Sequence, residues 1–237
     1  MPEVIISGSE GRIEARYTQG KEPNAPAALI LHPHPQYGGT MNNKVVYNLY
    51  SQFAAKGFSV LRFNFRGVGR SSGTFDHGIG ELIDAAIALD WLQLHNPSAS
   101  SFWIGGFSFG SWIALQLLMR RPEIQGFIAV SPPANKYDFS FLSPCPSSGI
   151  IIQGDADSIS TEESVSKLVS KVAKQKNIEI DYTVIQGADH YFRTTMDHFN
   201  QAVNEYIDRR LIQLSEGGYK KVDRRRRKVT ISEDDEE

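Results

Sequence analysis

Residues Gly106-Phe107-Ser108-Phe109-Gly110 form a Gly-x-Ser-x-Gly pentapeptide. The apolar run before it, Ser101–Phe107, reads as a strand, and Phe109–Arg120 after it reads as a helix halted at Pro122. A serine on so tight a strand-to-helix turn is held up as a nucleophile, and the flanking glycines let neighbouring backbones pass. The positive end of the helix dipole favours the negative charge that develops there. A serine hydroxyl is weak until a base takes its proton. His190 is the candidate base: it follows the last expected strand and precedes the last helix, with Tyr191 and Phe192 as apolar bulk beside it. His77, His95 and His198 fall in a loop, at a helix end and inside a helix, and are read as ordinary surface residues. The base needs a carboxylate to hold its tautomer. Asp155 and Asp157 both follow the isoleucine-rich run Gly149–Gln153. Asp157 is preferred, with Asp155 as a turn residue bonding its own backbone.

These residues need elements to position them. Val4–Ile6 and Arg12–Thr18 read as two short strands with no helix between them, hence an antiparallel start. From Ala27 to Leu214 strands alternate with amphipathic helices. The strands are Ala27–Leu31, Ser59–Phe65, Ser101–Phe107, Gly126–Val130, Gly149–Gln153 and Ile178–Ile185. The helices are Lys44–Lys56, Gly80–His95, Phe109–Arg120, Thr161–Gln175 and Thr195–Leu214. Ser160 with Glu163 has the spacing of a capping box for the fourth. The alternation implies an α/β fold with a mostly parallel sheet and right-handed crossovers. Ligands of such sheets bind beyond the carboxyl ends of the strands. Serine, carboxylate and histidine all fall there.

The order Ser108, Asp157, His190 is that of the α/β-hydrolases. From about Glu3 to Leu214 the chain resembles that superfamily. His32-Pro33-His34-Pro35 with Gly38-Gly39-Thr40-Met41 and Asn43-Lys44-Val45-Val46 resembles a group of small, lidless bacterial members, predicted hydrolases or esterases. Phe65-Arg66-Gly67-Val68-Gly69-Arg70-Ser71 and Gly187-Ala188-Asp189-His190 are similar to it as well. The resemblance implies eight strands, the α/β-hydrolase fold and the Ser108–Asp157–His190 triad. Many relatives carry a histidine where this chain has Gln153, a position outside the triad.

An oxyanion needs two backbone N–H donors. Phe109 supplies one by the motif. The other comes from the loop after Ala27–Leu31, where Pro33 and Pro35 have no N–H. His34, Gln36 and Tyr37 remain; His34 or Gln36 is favoured. His32 and His34 also admit a metal, but Pro33 breaks the strand geometry and no further ligand cluster supports it. Neither a metal nor a cofactor is expected.

Many α/β-hydrolases insert a helical lid after the sixth strand. Here Ser131–Ser148 holds Pro132, Pro133, Pro144 and Pro146, which oppose a helix. The expected site is open, rimmed by Pro132, Pro133, Tyr137, Phe139 and Phe141, and suited to small or extended acyl substrates with water as second substrate. Peptide or thioester cleavage by the same triad is an alternative, as is a non-catalytic binding protein on this fold.

The chain has 237 residues, 41% hydrophobic and 22% charged, a composition that excludes a largely disordered protein. One domain, 1–214, is expected to precede a charged, flexible tail, 215–237. The net charge of −2 conceals a division, because the last 18 residues hold 7 basic and 6 acidic side chains and the body carries the acidic excess. The basic run Arg224–Lys228 would suit nucleic acid, but the acidic run Glu233–Glu237 offsets it, so no nucleic-acid partner is expected. Cys145 is the single cysteine, so no intramolecular disulfide forms. No run approaches the ~20 apolar residues of a membrane helix, and no signal-peptide pattern opens the chain. The expectation is a soluble cytoplasmic protein. Oligomeric state is not legible.

Overall fold

The computed structural model describes residues 3–175 and 178–216. The strands are β1 (Glu3–Gly8), β2 (Gly11–Thr18), β3 (Ala27–Leu31), β4 (Ser59–Phe63), β5 (Phe102–Phe107), β6 (Ile124–Val130), β7 (Gly149–Gly154) and β8 (Ile180–Ile185). The helices are α1 (Lys44–Ala55), α2 (Ile79–His95), α3 (Phe109–Leu118), α4 (Glu162–Val172) and α5 (Met196–Glu216). All eight strands join one sheet in the order β1-β2-β4-β3-β5-β6-β7-β8. β1 and β2 are antiparallel, β2 is antiparallel to β4, and the rest run parallel. This is the α/β-hydrolase fold, with no lid domain among the described residues.

Side-chain alternation explains the layers. In β3, Ala27, Leu29 and Leu31 face α2 and α3, while Ala28 and Ile30 face α1 and α5. Both faces are covered, so the strand reads as one apolar run. β3 leads through α1 to β4 on one side, and β5 leads through α3 to β6 on the other. Their tips therefore diverge and leave a crevice at the switch point, where such sheets bind ligands.

Several boundaries differ from those expected, each for a local reason. β4 ends at Phe63 instead of Phe65. The Asn64 side chain instead accepts from Met41 N–H (2.8 Å) and donates to Glu14 (2.9 Å), and Phe65 N–H donates to the His32 ring. Ser160 does not cap α4. The N-cap is Thr161, without a side-chain bond, and Ser160 N–H donates to the Asp157 carboxylate. Glu163 pairs with Lys167 one turn on. The proline-rich segment between β6 and β7 contains one 3-10 turn, Ser140–Leu142, which is short enough to fit before Pro144. The expected charged tail lies outside the described residues, except that Ser215 and Glu216 continue α5. Among the described residues no helix is long and apolar enough to cross a membrane.

The first turn of α3 lies directly on the tip of β3. A Cβ at Gly110 would sit 2.4 Å from the His32 carbonyl oxygen and 2.6 Å from that of Leu31. A Cβ at Gly106 would meet the Gly110 carbonyl oxygen at 2.3 Å. The glycines are required by this approach. Alanine at position 110 would improve helix propensity by about 1 kcal/mol. The clash outweighs that, so Gly110→Ala is expected to cost about 1–3 kcal/mol net. Calorimetry checks the sign; a raised melting temperature would contradict the packing described.

His32 fastens the loop beyond β3. Its Nδ1–H donates to the Pro33 carbonyl (2.7 Å) and its Nε2 accepts from Phe65 N–H (3.0 Å). Burial, opposed only in part by the Pro33 bond, drops its pKa from 6.5 to about 3. Between those values the unfolded chain binds a proton here that the folded chain refuses. Stability from this site is complete above pH 6.5 and falls as pH drops toward 3, by about 1.4 kcal/mol per pH unit where only the unfolded form is protonated. His32→Asn should lower stability at pH 7 and flatten the slope between pH 6 and 4. Urea titrations at these pH values measure both effects.

Candidate active site

β5 delivers Ser108 into the crevice in a conformation that side chains rarely adopt, φ 53°, ψ −120°. Such backbone costs of order 1–3 kcal/mol and persists only where its surroundings enforce it. Ser108 N–H donates to the Val130 carbonyl of β6 (2.8 Å), and Ser111 donates through both its N–H and hydroxyl to the Ser108 carbonyl. The Phe109 ring is wedged among His34, Phe65 and Phe75. These contacts fix the turn on both sides of the serine.

β7 and β8 bring the other two residues together. Gly187 N–H donates to Asp155 Oδ1 (2.6 Å), and Ala156 N–H donates to the Ala188 carbonyl (3.1 Å). Asp155 therefore bonds the backbone of the neighbouring loop, where a bond to its own was expected. The two loops are tied side by side, and the next carboxylate, Asp157, reaches His190. Asp157 Oδ2 lies 2.7 Å from His190 Nδ1, and His190 Nε2 lies 3.1 Å from Ser108 Oγ. All three residues are buried.

The Asp157 carboxylate is saturated. Oδ1 accepts from the N–H groups of Ile159 and Ser160, both at 2.8 Å, while Oδ2 accepts from His190 and from Gln153 Nε2 (3.2 Å). Burial by itself raises its pKa; the bonds from His190, Ser160 and Ile159 outweigh burial and hold the carboxyl below its ordinary value. An ionised carboxylate only accepts. His190 Nδ1 therefore carries the hydrogen, and Nε2 is left to accept from Ser108.

Gln153, set outside the triad by the sequence, supports the acid without joining it. Its amide also donates to the Ser160 carbonyl (2.7 Å), so it braces the acid loop from beneath. The sequence signal was a polar residue closing a run of isoleucines; the structure buries it fully.

The cleft above Ser108 has a volume of about 530 Å³. His34, Phe109, Pro133, Tyr137 and Tyr191 are among its walls. Of the expected rim, Pro133 and Tyr137 line it. Pro132 and Phe139 are buried, and Phe139 lines a separate cavity with Tyr137. Asn43, part of the motif that resembles the lidless group, and Lys136, not singled out by sequence, also line the cleft. The Gln36 N–H is held by His34 Nδ1 (3.2 Å) and the Tyr37 N–H by the His34 carbonyl (3.1 Å). Of the three candidate loop amides, only that of His34 has no protein acceptor among the described residues. Both His32 nitrogens are engaged, and His34 Nδ1 accepts from Gln36, so the pair cannot act as metal ligands in this geometry.

The comparisons agree with this architecture. The model of the family X-Pro dipeptidyl-peptidase (S15 family) matches residues 12–178. An uncharacterized protein of Rickettsia prowazekii (strain Madrid E) is 57% identical over 211 residues, covering 87% of this chain and 89% of its own. A solved protein of unknown function from Agrobacterium tumefaciens, with an α/β-hydrolase assignment, is 56% identical with a TM-score of 0.87, covering 89% of this chain and 97% of its own. A Xanthomonas campestris α/β serine hydrolase described as having no lid is 30% identical with a TM-score of 0.79, over 88% and 94% of the two chains. The chain belongs to the S15 peptidase family as that model defines it, and to the α/β-hydrolase superfamily, where the Xanthomonas relative is a serine hydrolase without a lid.

Proposed function

We propose that the protein is a serine hydrolase of the carboxylesterase type, working through Ser108, His190 and Asp157. One observation carries this reading: the unbroken hydrogen-bond chain from Ser108 Oγ through His190 to an ionised, buried Asp157. Ser108 Oγ attacks the acyl carbon as its proton passes to His190 Nε2. The imidazolium formed lies against Asp157, which stabilises it and keeps the ring in place. The Phe109 and His34 N–H groups receive the oxyanion; Gln36, the other loop candidate, has its N–H already occupied. His190 returns the proton to the leaving alcohol. Water then attacks the acyl-enzyme by the same route in reverse, releasing the acid and free Ser108.

The family description raises a second reading, removal of N-terminal dipeptides. Such a substrate carries an α-ammonium near the scissile bond, and a buried cation needs an opposite charge. None of the described residues lining the cleft is a carboxylate. Lys136 faces it instead and would repel an ammonium. Ester or related acyl bonds are favoured on that ground. A purely binding protein would have no use for the strained serine and its aligned base.

Ser108→Ala is expected to lower kcat on p-nitrophenyl butyrate by about a million-fold, since the triad acts as a unit. A fluorophosphonate should label Ser108 in the unaltered protein and nothing in the variant. Full esterase activity in Ser108→Ala would refute the assignment. The cleft lacks a lid to cover a long chain, so acetate and butyrate esters should be cleaved faster than palmitate; a chain-length series measures this, and a palmitate optimum would contradict it.

A further inference from the structure

The proposed ester substrate is not specified by the triad. The walls of the cleft constrain it further. Lys136 is the sole formally charged side chain among the described residues that line the cleft, outside the histidines. It has no carboxylate partner among the described residues. Lys167, Arg193, Arg66 and Arg121 are matched, with Glu163, Asp189, Asp84 and Glu123; other described cations are unmatched as well, and Lys136 differs from them in lining the cleft. An unmatched cation on the wall of the cleft that holds Ser108, with no wall carboxylate, sets a positive local potential on a protein whose overall charge is −2.

The base of this lysine is held in place. Lys136 N–H and Tyr137 N–H both donate to the Pro133 carbonyl, at 2.9 and 3.0 Å. Asn135 Nδ2 donates to the Ile159 carbonyl in the acid loop (3.0 Å). Tyr137 stacks on Trp112, ring centroids 4.4 Å apart, and Trp112 Nε1–H donates to the Asp138 carbonyl. The turn carrying Lys136 is thus fastened to α3 on one side and to the acid loop on the other. The charge also reaches the interior of the site. Burial first, then the Lys136 ammonium, hold the His34 imidazole below its ordinary pKa.

We infer that Lys136 is a specificity residue for an anionic group, a carboxylate or phosphate, borne by the ester substrate. The inference rests on the esterase reading and narrows its substrate class. An ammonium on a fixed turn attracts such a group as a point charge, without the planar fork of arginine, and so accepts either kind of anion. The apolar walls beside it, Tyr137 and Tyr191, take up the uncharged part of the substrate.

The test compares matched ester pairs. On the acyl side, the monoaryl ester of glutarate is set against the aryl pentanoate. On the alcohol side, the butyryl ester of glycerol phosphate is set against monobutyrin. In at least one pair the unaltered protein should favour the anionic member about five-fold in kcat/KM at low salt, chiefly through KM. The pair that shows it identifies carboxylate or phosphate as the group taken. Lys136→Met should bring that ratio near unity, Lys136→Glu should invert it, and 0.5 M salt should shrink it. Lys136 is exposed, so neither substitution threatens folding. No anionic preference in either pair, or a preference that both variants retain, overturns the inference while leaving the esterase reading intact. Failure to cleave any of the four esters in a protein whose Ser108 is still labelled by fluorophosphonate also overturns only this inference. Failure of cleavage and labelling together overturns both.

Discussion

The active site depends on how closely the first turn of α3 lies against the tip of β3. Two backbones meet there with no space for a side chain at Gly110. That contact sets the angle at which the chain leaves β5 and so forces Ser108 into positive φ. It also brings the two proposed oxyanion donors together, because one sits on the α3 turn and the other on the loop continuing β3. The strain at Ser108 is offset by the packing around it. The Phe109 ring is locked among His34, Phe65 and Phe75, and the Ser108 backbone is bonded at both its N–H and carbonyl.

A second constraint is electrostatic. Asp157 is a buried carboxylate, which is costly unless its oxygens are satisfied. Two backbone amides, the His190 ring and the Gln153 amide satisfy them. Three of these four donors belong to the acid loop or to the strand that bears it, and the fourth comes from the His190 loop. The carboxylate therefore organises its own loop before it acts on the histidine. This explains why Ser160 fails as a helix cap: its N–H serves Asp157, and α4 begins one residue later than capping chemistry suggests. The same logic separates the two aspartates. Asp155 ties the β7 and β8 loops together, and Asp157 inherits the geometry that results.

The polar contacts beneath the loops repeat this arrangement on the other side of the cleft. His32 joins the β3 loop to the residue that follows Asn64. Asn64 bridges Met41 and Glu14, and Arg66 lies in a buried pair with Asp84 of α2. Each is a buried polar side chain at a strand end, and each removes a residue from the sheet ladder or fixes a turn. The alternation Leu61, Phe63, Phe65 extends the expected β4 to Phe65; the bonds that end the strand come from residues 32 and 14, far away in the chain.

Local chemistry along the chain determined the alternation of eight strands and five helices, the Gly-Phe-Ser-Phe-Gly turn and the strand ends that carry Asp157 and His190. These follow from hydrophobic period, from the lack of a Cβ at glycine, and from the absence of a proline N–H, all of which act within a few residues. Tertiary structure alone decided that β3 lies between β4 and β5. It also decided that Asp157 and not Asp155 reaches His190 and Ser108, and that Lys136 lines the cleft that holds Ser108. Those outcomes depend on which loops meet at the end of the sheet. Contacts between residues tens to more than a hundred positions apart are set by packing, which no local pattern records.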